Sequence, residues 1–278
     1  WGIPFPVSKI AERDRIEDIG RKRFYVWWEA VMGYYTASRE WSEKTGGDWK
    51  EWWYSGKARH YYFMGKDNLP FHTMFWPGEL HLYDGKLNLP DVLSINQFLT
   101  FGGEQFSKSR GVAVDSREMI AKYGRDPVRF YLTSVMPEYS DTNFTMENFI
   151  EKHNNILIGN LGNFINRTLT LARGEKLKSG DVSGDAEDAV REKSAAARSA
   201  LEKPAFREYL DTVLELSDWG NKYLTYEEPW KKKGEERRRI LSNALFAALA
   251  LGIMIRPLLA DASDKMSGLV SVEFDEWS

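Results

Sequence analysis

The clearest indication of fold class in this chain is the segment His60-Tyr61-Tyr62-Phe63-Met64-Gly65-Lys66-Asp67-Asn68. The run up to Gly65 is apolar and aromatic and has the length of a buried strand, and the residues from Gly65 to Asn68 form a polar turn. Beyond the turn, apolar residues recur at roughly helical spacing: Phe71, Met74, Phe75 and Leu80. The stretch therefore predicts a strand, a turn and a helix, with Asp67 as a candidate N-cap and Pro70 in the first helical turn.

Two further segments before residue 101 have the composition of strands. Residues 23–28 are aromatic and β-branched, and a helical pattern follows over residues 29–41. Residues 92–100 are a third strand candidate, followed by the pair Gly102-Gly103. Strand, helix, strand, helix, strand is the alternation of a parallel α/β sheet. The first part of the chain is therefore predicted to be α/β.

The remainder of the chain is predicted to be all-α. Apolar residues at helical spacing predict helices over residues 116–123, 127–135, 145–173, 188–203, 206–224 and 237–255. Residues 174–185 are rich in Gly, Ser, Lys and Asp and are predicted to be a flexible connection. Lys265, Met266 and Ser267 continue the apolar spacing around them, which predicts one more structural helix.

Composition narrows the possible chemistry. The chain has 278 residues, 42% of them hydrophobic and 28% charged, and its net charge is -3, so nucleic acid would have to meet a local basic patch. Without cysteine, disulfides, thiol catalysis and Cys-ligated zinc are excluded within this chain. His72 and His81 would lie on opposite sides of one helix, so no metal site is predicted. Apolar stretches stay below the ~18 residues that cross a bilayer, which favours a cytoplasmic protein without a membrane partner.

Two loops are candidate ligand sites. Gly65, Lys66, Asp67 and Asn68 follow a strand, where open α/β sheets bind ligands, although an ordinary helix cap explains the same residues. The segment Phe106-Ser107-Lys108-Ser109-Arg110-Gly111 carries two hydroxyls and two cations behind a pair of glycines. Such a loop suits a polyphosphate, and Lys108 could neutralise charge on a departing pyrophosphate. A solvated basic loop is the alternative.

A third constellation suits RNA. Asn163 and Arg167 are four residues apart and would share one face of a helix, where both could reach a base edge. Trp230 follows a proline and could stack on an unpaired base. A helix-surface pair and a loop anchor are the structural alternatives. The basic runs 231–233 and 237–239 lie nearby, diluted by Glu235 and Glu236, and favour phosphate contact.

Taken in order, several motifs resemble those of methionyl-tRNA synthetases, most closely the archaeal and eukaryotic branch. The motifs are Tyr25-Val26-Trp27, Gly33-Tyr34, Gly65-Lys66-Asp67-Asn68, Phe71-His72, Trp76-Pro77, Phe106-Ser107-Lys108-Ser109, Asn160-Leu161-Gly162-Asn163-Phe164 with Arg167, and Asn221 followed by Pro229-Trp230. The resemblance runs from Trp1 to about Leu269. It implies a class I aminoacyl-tRNA synthetase that uses ATP to form methionyl-adenylate from L-methionine and then charges tRNA(Met).

The resemblance also implies roles for individual residues. Lys108, with Ser107 and Ser109 supporting the loop, would stabilise the ATP phosphates, and the Gly65-Lys66-Asp67-Asn68 turn would hold the adenylate. The methionine pocket would be formed by Trp27, Ala30, Tyr34, Phe71 and His72. Asn163, Arg167 and Trp230 would read the CAU anticodon. Mg²⁺ would arrive with ATP, and no protein-bound zinc is expected.

The chain departs from the family pattern in two respects. Gln105 stands where the family's loop usually opens with lysine, so one cation is missing unless Arg110 replaces it. The family's ATP-contacting His-x-Gly-His motif does not occur in these residues. A truncated chain, a proteolytic product or a split subunit would explain this, with an N-terminal catalytic half as partner. The alternative function is a non-catalytic tRNA-binding protein derived from a synthetase.

The resemblance predicts three regions. Residues 1–100 would be the C-terminal half of a Rossmann-type catalytic domain, residues 101–140 the signature loop and a helical connector, and residues 141–278 an anticodon-binding helix bundle. The predicted fold class is thus α/β followed by all-α.

Overall fold

The computed structural model describes residues 2–105, 115–272 and 274. The chain divides into two units, Trp1–Asn96 and Gln97–Ser278, each with its own apolar core. It has the mixed architecture predicted from the sequence, with many helices and small sheets that contain parallel strand pairs.

A two-stranded parallel sheet lies at the centre of the first unit. Strand β1 (Tyr61–Gly65) pairs with β2 (Val92–Asn96), in a register that sets Tyr61 opposite Val92 and Gly65 opposite Asn96. Side chains alternate along β1, so Tyr62 and Met64 are buried and Phe63 is exposed. The strand predicted around residues 60–65 is confirmed. Because the pair is parallel, the carboxyl ends of both strands meet at Gly65 and Asn96.

Helices cover this small sheet. They are α1 (Val26–Ala30), α2 (Gly33–Thr45), α3 (Lys50–Trp53) and α4 (Trp76–Tyr83), and a π-helical turn (Phe71–Phe75) leads directly into α4. The helix predicted after the turn is therefore confirmed, with Pro70 in its first turn. The core of this unit is unusually aromatic and includes Tyr35, Trp53, Tyr62 and Trp76.

The prediction of a buried strand over residues 23–28 is wrong. Arg23 forms an isolated bridge to Pro4 outside any named strand, and the helix α1 begins at Val26. Tyr25 is 60% exposed and Trp28 40% exposed. Aromatic residues favour strands by propensity, but here Trp27 and Trp28 pack against the π-helical turn instead, and tertiary packing overrides the local preference.

The third predicted strand is divided between two sheets. Residues 92–96 form β2, while β3 (Leu99–Phe101) belongs to the second unit, where the strand order is β4-β3-β5 with β4 (Glu104–Gln105) and β5 (Thr142–Phe144). At the break between the two strands, the backbone N–H of Gln97 donates a hydrogen bond to the Pro137 carbonyl. The backbone N–H of Phe98 donates to the Asp141 side chain. Gly102 and Gly103 both have positive φ, as the tight turn between β3 and β4 requires.

The rest of the second unit is helical, as predicted, whereas the strand β5 departs from the all-α prediction for this part of the chain. Its helices are α5 (Ser116–Tyr123), α6 (Arg125–Ser134), α7 (Met146–Lys152), α8 (Asn163–Ala172), α9 (Gly184–Glu202), α10 (Phe206–Glu227), α11 (Gly234–Met254) and α12 (Ala260–Val270). A π-helical segment (His153–Gly162) joins α7 to α8, so the single long helix predicted over residues 145–173 is confirmed apart from this local widening. Met266 is 3% exposed within α12, which confirms the structural helix there.

Candidate functional site

The turn after β1 lies at the sheet edge where the sequence predicts a ligand. Gly65 ends the strand, and Lys66–Asn68 form one turn of 3-10 helix. A Cβ added at Gly65 would meet no described atom within 4 Å, so space is open beside the backbone. The predicted capping role of Asp67 is wrong, because Asp67 lies inside the 3-10 turn and no side chain caps the helix that follows. Its carboxylate is exposed and remains accessible at the strand end.

Tyr34 and His72 form a hydrogen-bonded pair beside this turn. The Tyr34 hydroxyl lies 2.9 Å from Nε2 of His72, and Nδ1 of His72 lies 2.9 Å from the Asn68 carbonyl oxygen. A carbonyl oxygen can only accept, so Nδ1 carries the proton and donates to Asn68. In the neutral ring Nε2 then accepts from the Tyr34 hydroxyl. His72 is 3% exposed, and both of its nitrogens are satisfied within the protein.

Tyr62 and Trp76 support this pair from the core. The Tyr62 hydroxyl accepts a hydrogen bond of 2.8 Å from the Trp76 indole N–H, and the Tyr62 ring meets the Tyr34 ring edge-on at 5.2 Å. Burial raises the pKa of Tyr62 to about 12, so its hydroxyl stays protonated. These rings fix one side of Tyr34. Trp76 belongs to one of the sequence motifs, whereas Tyr62 lies in an apolar strand run that by itself predicts only a structural role.

The other predicted methionine-pocket residues form a separate contact. The rings of Trp27 and Phe71 stack with centroids 4.8 Å apart. Because Phe71 and His72 are consecutive, this stack and the Tyr34–His72 pair share the π-helical turn. Ala30 ends α1 and is exposed. The structure thus brings Tyr34 to His72 and Trp27 to Phe71.

A cavity of about 510 Å³ lies against the same region. It is lined by Gly33, Tyr34, Ala37, Ser38, Trp52, Trp53, Arg59, His60, Tyr61, Tyr62 and Phe63. Of the residues predicted to form the methionine pocket, Tyr34 lines this cavity. The cavity is large enough for an amino-acid ligand.

The predicted phosphate-binding loop lies outside the described residues. Ser107, Lys108, Ser109 and Arg110 all belong to the segment 106–114. The backbone of Gln105 is described as the end of β4. The role assigned to this loop therefore stays a prediction.

The second unit brings together the residues predicted to contact RNA. The Arg167 guanidinium lies over the Trp230 ring, 5.8 Å from its centroid, and Trp230 is 48% exposed. The amide nitrogen of Asn163 donates to Oδ1 of Asn221 at 2.9 Å, and Asn221 in turn donates to Asn160. Asn163 and Trp230 are exposed, so one face of the bundle presents an amide, a guanidinium and an indole ring.

Three of the nearby basic residues have acidic partners. Lys231 pairs with Glu228 and Lys232 with Glu236, each at 2.7 Å. The Nε atom of Arg237 lies 2.9 Å from Glu175. Lys233, Arg238 and Arg239 are exposed. These three side chains are the stronger candidates for phosphate contact.

Within residues 2–105, 115–272 and 274, no group of three or more His, Asp or Glu side chains could hold a metal ion. Among the helices so described, none is both long and apolar enough to span a bilayer.

A family model described as "tRNA synthetases class I (M)" matches residues 1–169. The chain therefore belongs to this family of class I tRNA synthetases. The resemblance identified from the sequence motifs is confirmed.

Curated relatives of this chain are methionine–tRNA ligases. The enzyme of Kineococcus radiotolerans is 35% identical over 96% of this chain and 47% of its own length. The enzyme of Thermococcus kodakarensis is 34% identical over 100% of this chain and 40% of its own length. The chain thus spans about half the length of the curated relatives it matches.

Solved structures share the fold. Mycobacterium tuberculosis methionyl-tRNA synthetase in complex with methionyl-adenylate superimposes with a TM-score of 0.71 at 22% identity, covering 94% of this chain and 52% of that one. The apo form of the same enzyme gives a TM-score of 0.71 at 20% identity, covering 93% and 52%.

Proposed function

We propose that this chain is part of a methionine–tRNA ligase, with the methionine and adenylate site in its first unit and the anticodon site in its second. The reaction is the ATP-dependent activation of L-methionine to methionyl-adenylate, followed by transfer to tRNA(Met). The Tyr34–His72 pair carries the proposal, since it lies at the carboxyl end of β1 within the residues matched by the family model.

Hydrogen bonding around His72 favours a thioether ligand. His72 donates to the Asn68 carbonyl and accepts from Tyr34, so neither group has a spare proton to offer a ligand. A polar side chain placed there would lose its hydrogen bonds to water without replacement, at a cost of about 1–3 kcal/mol. The methionine sulfur is a weak acceptor, and it gains from contact with aromatic edges such as those of Trp27 and Phe71.

The adenylate is assigned to the turn after β1. Open space beside Gly65 admits a ribose or phosphate, and the exposed Asp67 carboxylate can accept hydrogen bonds from hydroxyl or amino groups. Lys66 and Asn68 flank it. Lys108, supported by Ser107 and Ser109, is assigned to the ATP phosphates. Mg²⁺ is expected to enter with ATP, held mainly by phosphate oxygens and water.

Anticodon recognition is assigned to Asn163, Arg167 and Trp230. An unpaired base stacked on the indole of Trp230 would meet the Arg167 guanidinium, which already lies against that ring. The bond from Asn163 to Asn221 holds the Asn163 amide in a fixed orientation. This arrangement suits single-stranded loop recognition, and we assign it to the CAU anticodon of tRNA(Met).

The proposed partner is an N-terminal catalytic half, on the same or a separate polypeptide. Its support is the length of the curated relatives, which are about twice as long as this chain. Residues 1–100 are then proposed as half of a Rossmann-type domain, residues 101–140 as signature loop and connector, and residues 141–278 as the anticodon-binding bundle.

Methionine-dependent ATP–pyrophosphate exchange tests this assignment. The chain is assayed alone and mixed with a His-x-Gly-His-bearing N-terminal half from a related enzyme. We expect exchange in the mixture, its loss with His72→Gln, and its retention with His81→Gln, since His81 is exposed on the same helical segment. If no mixture shows ATP–pyrophosphate exchange while the chain still binds a CAU stem-loop, the protein would be identified as a non-catalytic tRNA-binding protein instead.

A further inference from the structure

A second cleft of the first unit lies between α2 and α4. Its volume is about 180 Å³, and its walls are one face of each helix: Met32, Tyr35, Thr36 and Arg39 on the α2 side, and Trp76, Glu79, Leu80 and Tyr83 with Leu87 on the α4 side. The spacing of three and four residues on both sides shows that each helix contributes a single stripe. For comparison, an engineered cavity of about 150 Å³ binds benzene.

Glu79 is the unusual residue of this cleft. It is 7% exposed, and neither carboxylate oxygen has a hydrogen-bond partner among the residues that the structure describes. A buried carboxyl group without partners is costly, and native proteins rarely retain one. Burial raises the pKa of Glu79 to about 7. The cleft therefore contains an acceptor group with its full hydrogen-bonding capacity unused.

Aromatic rings line the same cleft as this acceptor. Tyr35 and Tyr83 meet at a centroid distance of 5.6 Å, and Trp76 is 1% exposed behind them. Aromatic faces attract cations, and the attraction grows when water is excluded. Arg39 also lines the cleft, but its guanidinium lies over the Trp49 ring, 5.7 Å from the centroid. A carboxylate and aromatic rings on the walls of one cleft are a combination suited to an organic ammonium group.

We propose that this cleft binds a small organic cation, a primary ammonium group on an apolar stem about the size of benzene. Glu79 accepts hydrogen bonds from the ammonium group, and Tyr35, Tyr83 and Trp76 contact its positive charge and its stem. A divalent metal ion fits less well, because Mg²⁺ and Ca²⁺ require six or more oxygen ligands, and among the described residues that line these walls Glu79 alone carries a carboxylate.

The cleft is distinct from the proposed methionine site. Tyr34 and Tyr35 are consecutive on α2 but point differently: the Tyr34 hydroxyl reaches His72, whereas the Tyr35 ring packs edge-on against Trp53 at 5.4 Å. Neither His72 nor Tyr34 lines the cleft. The inference therefore does not depend on the proposed function.

Calorimetric titration with cyclohexylammonium tests the proposal on the full 278-residue chain. At about pH 8 the amine is protonated and the Glu79 carboxyl group is largely ionised. We expect Glu79→Gln, which preserves side-chain volume, to weaken binding about ten-fold or more. Tyr83→Leu should weaken it about three-fold, since Tyr83 supplies part of the aromatic wall. Glu43→Gln, an exposed carboxylate on α2, is the matched control and should bind as the unmodified chain does.

Cyclohexanol provides the neutral comparison. It fills the same space without a charge, so it should bind more weakly than the ammonium. Its affinity should change by less than about two-fold in the Glu79→Gln chain. Circular dichroism establishes that each variant is folded. Equal affinity for alcohol and ammonium, equal affinity in the Glu79→Gln and Glu43→Gln chains, or no binding of the ammonium at millimolar concentration would each overturn the proposal.

Discussion

The hydroxyl of Tyr34 donates a hydrogen bond of 2.9 Å to Nε2 of His72, across 38 positions of sequence. His72 is almost fully buried, and its other nitrogen is committed to the Asn68 carbonyl oxygen. The tyrosine hydroxyl is thus the donor that satisfies a buried imidazole nitrogen. This single contact ties α2 to the π-helical turn.

Tyr34→Phe should lower the free energy of unfolding of the first unit by about 1–3 kcal/mol, because it leaves Nε2 of His72 buried without a donor. Urea unfolding followed by tryptophan fluorescence measures this, and eight of the eleven tryptophans, Trp1 to Trp76, lie in that unit. Tyr25→Phe is the control, since Tyr25 is 60% exposed and its change should be within about 0.5 kcal/mol. Equal midpoints for the two variants would contradict the assigned bond.

Glu79 should make stability depend on pH. Its pKa is raised from 4.5 to about 7 by burial, so the folded protein holds the proton more tightly than the unfolded chain does. Stability from this group is complete below pH 4.5 and is lost as the pH rises to about 7. The facing groups are Arg39, Tyr83 and Tyr35, and the pKa of Tyr35 is itself raised to about 12, so it does not titrate in this range.

The measurement compares urea unfolding of the unmodified chain and Glu79→Gln between pH 4.5 and 7. The unmodified chain should lose stability relative to the variant by on the order of 2 kcal/mol across this range. Glu43→Gln should show no such trend, because its carboxylate is exposed. A difference that stays constant with pH would mean that Glu79 titrates as an ordinary glutamate.

Gly220 should tolerate no side chain. A Cβ at this position would overlap the ring of Phe164, which is 0% exposed. Gly220→Ala should therefore destabilise the second unit by about 1–3 kcal/mol through overpacking. In a chain that carries Phe164→Leu, Gly220→Ala should lower the free energy of unfolding by less than it does in the unmodified chain, because the smaller side chain leaves room for the added Cβ. Far-UV circular dichroism in urea measures the unfolding midpoints. Gly184→Ala is the control, because a Cβ at Gly184 would meet no described atom within 4 Å. If the losses of unfolding free energy from Gly220→Ala and Phe164→Leu simply add in the double variant, the close approach of Gly220 to the Phe164 ring would be refuted.

Helices and the central strand could be predicted because their patterns are local. The apolar run that ends at Gly65 and the helical spacing after residue 145 are both visible in the chain itself. Residues 23–28 are assigned wrongly by local pattern, since their aromatic and β-branched side chains favour a strand by propensity whereas a helix begins at Val26. Packing of Trp27 on Phe71 decides between the two, and that contact is long-range.

The site residues, too, can be predicted where they depend on local spacing and cannot where they depend on long-range contacts. Asn163 and Arg167 can be paired from their spacing on a helix, but the contact of Arg167 with Trp230 joins positions 63 residues apart and requires the fold. The sequence does not distinguish Glu79 from other glutamates, because a carboxylate in the first turn of a helix is common. Only its burial between α2 and α4 distinguishes it.

Trp230 and Arg167 should act together on RNA. A base stacked on Trp230 contributes about 1–3 kcal/mol, so Trp230→Ala should weaken binding of a CAU stem-loop about ten-fold or more. Arg167→Gln should weaken it too, because the guanidinium lies over the same ring. The double variant should lose less than the product of the single effects, since the two side chains are in contact. Fluorescence anisotropy of a labelled stem-loop measures all three.

Trp41→Ala is the matched control, because Trp41 is an exposed tryptophan of the first unit. Its stem-loop affinity should equal that of the unmodified chain. A stem-loop with a changed first anticodon base separates recognition from general attraction to RNA: if Trp230 and Arg167 read the anticodon, their substitutions weaken the CAU complex more than the changed one. Undiminished CAU affinity in Trp230→Ala would remove the anticodon assignment, and an equal loss on both stem-loops would reduce it to non-specific RNA binding.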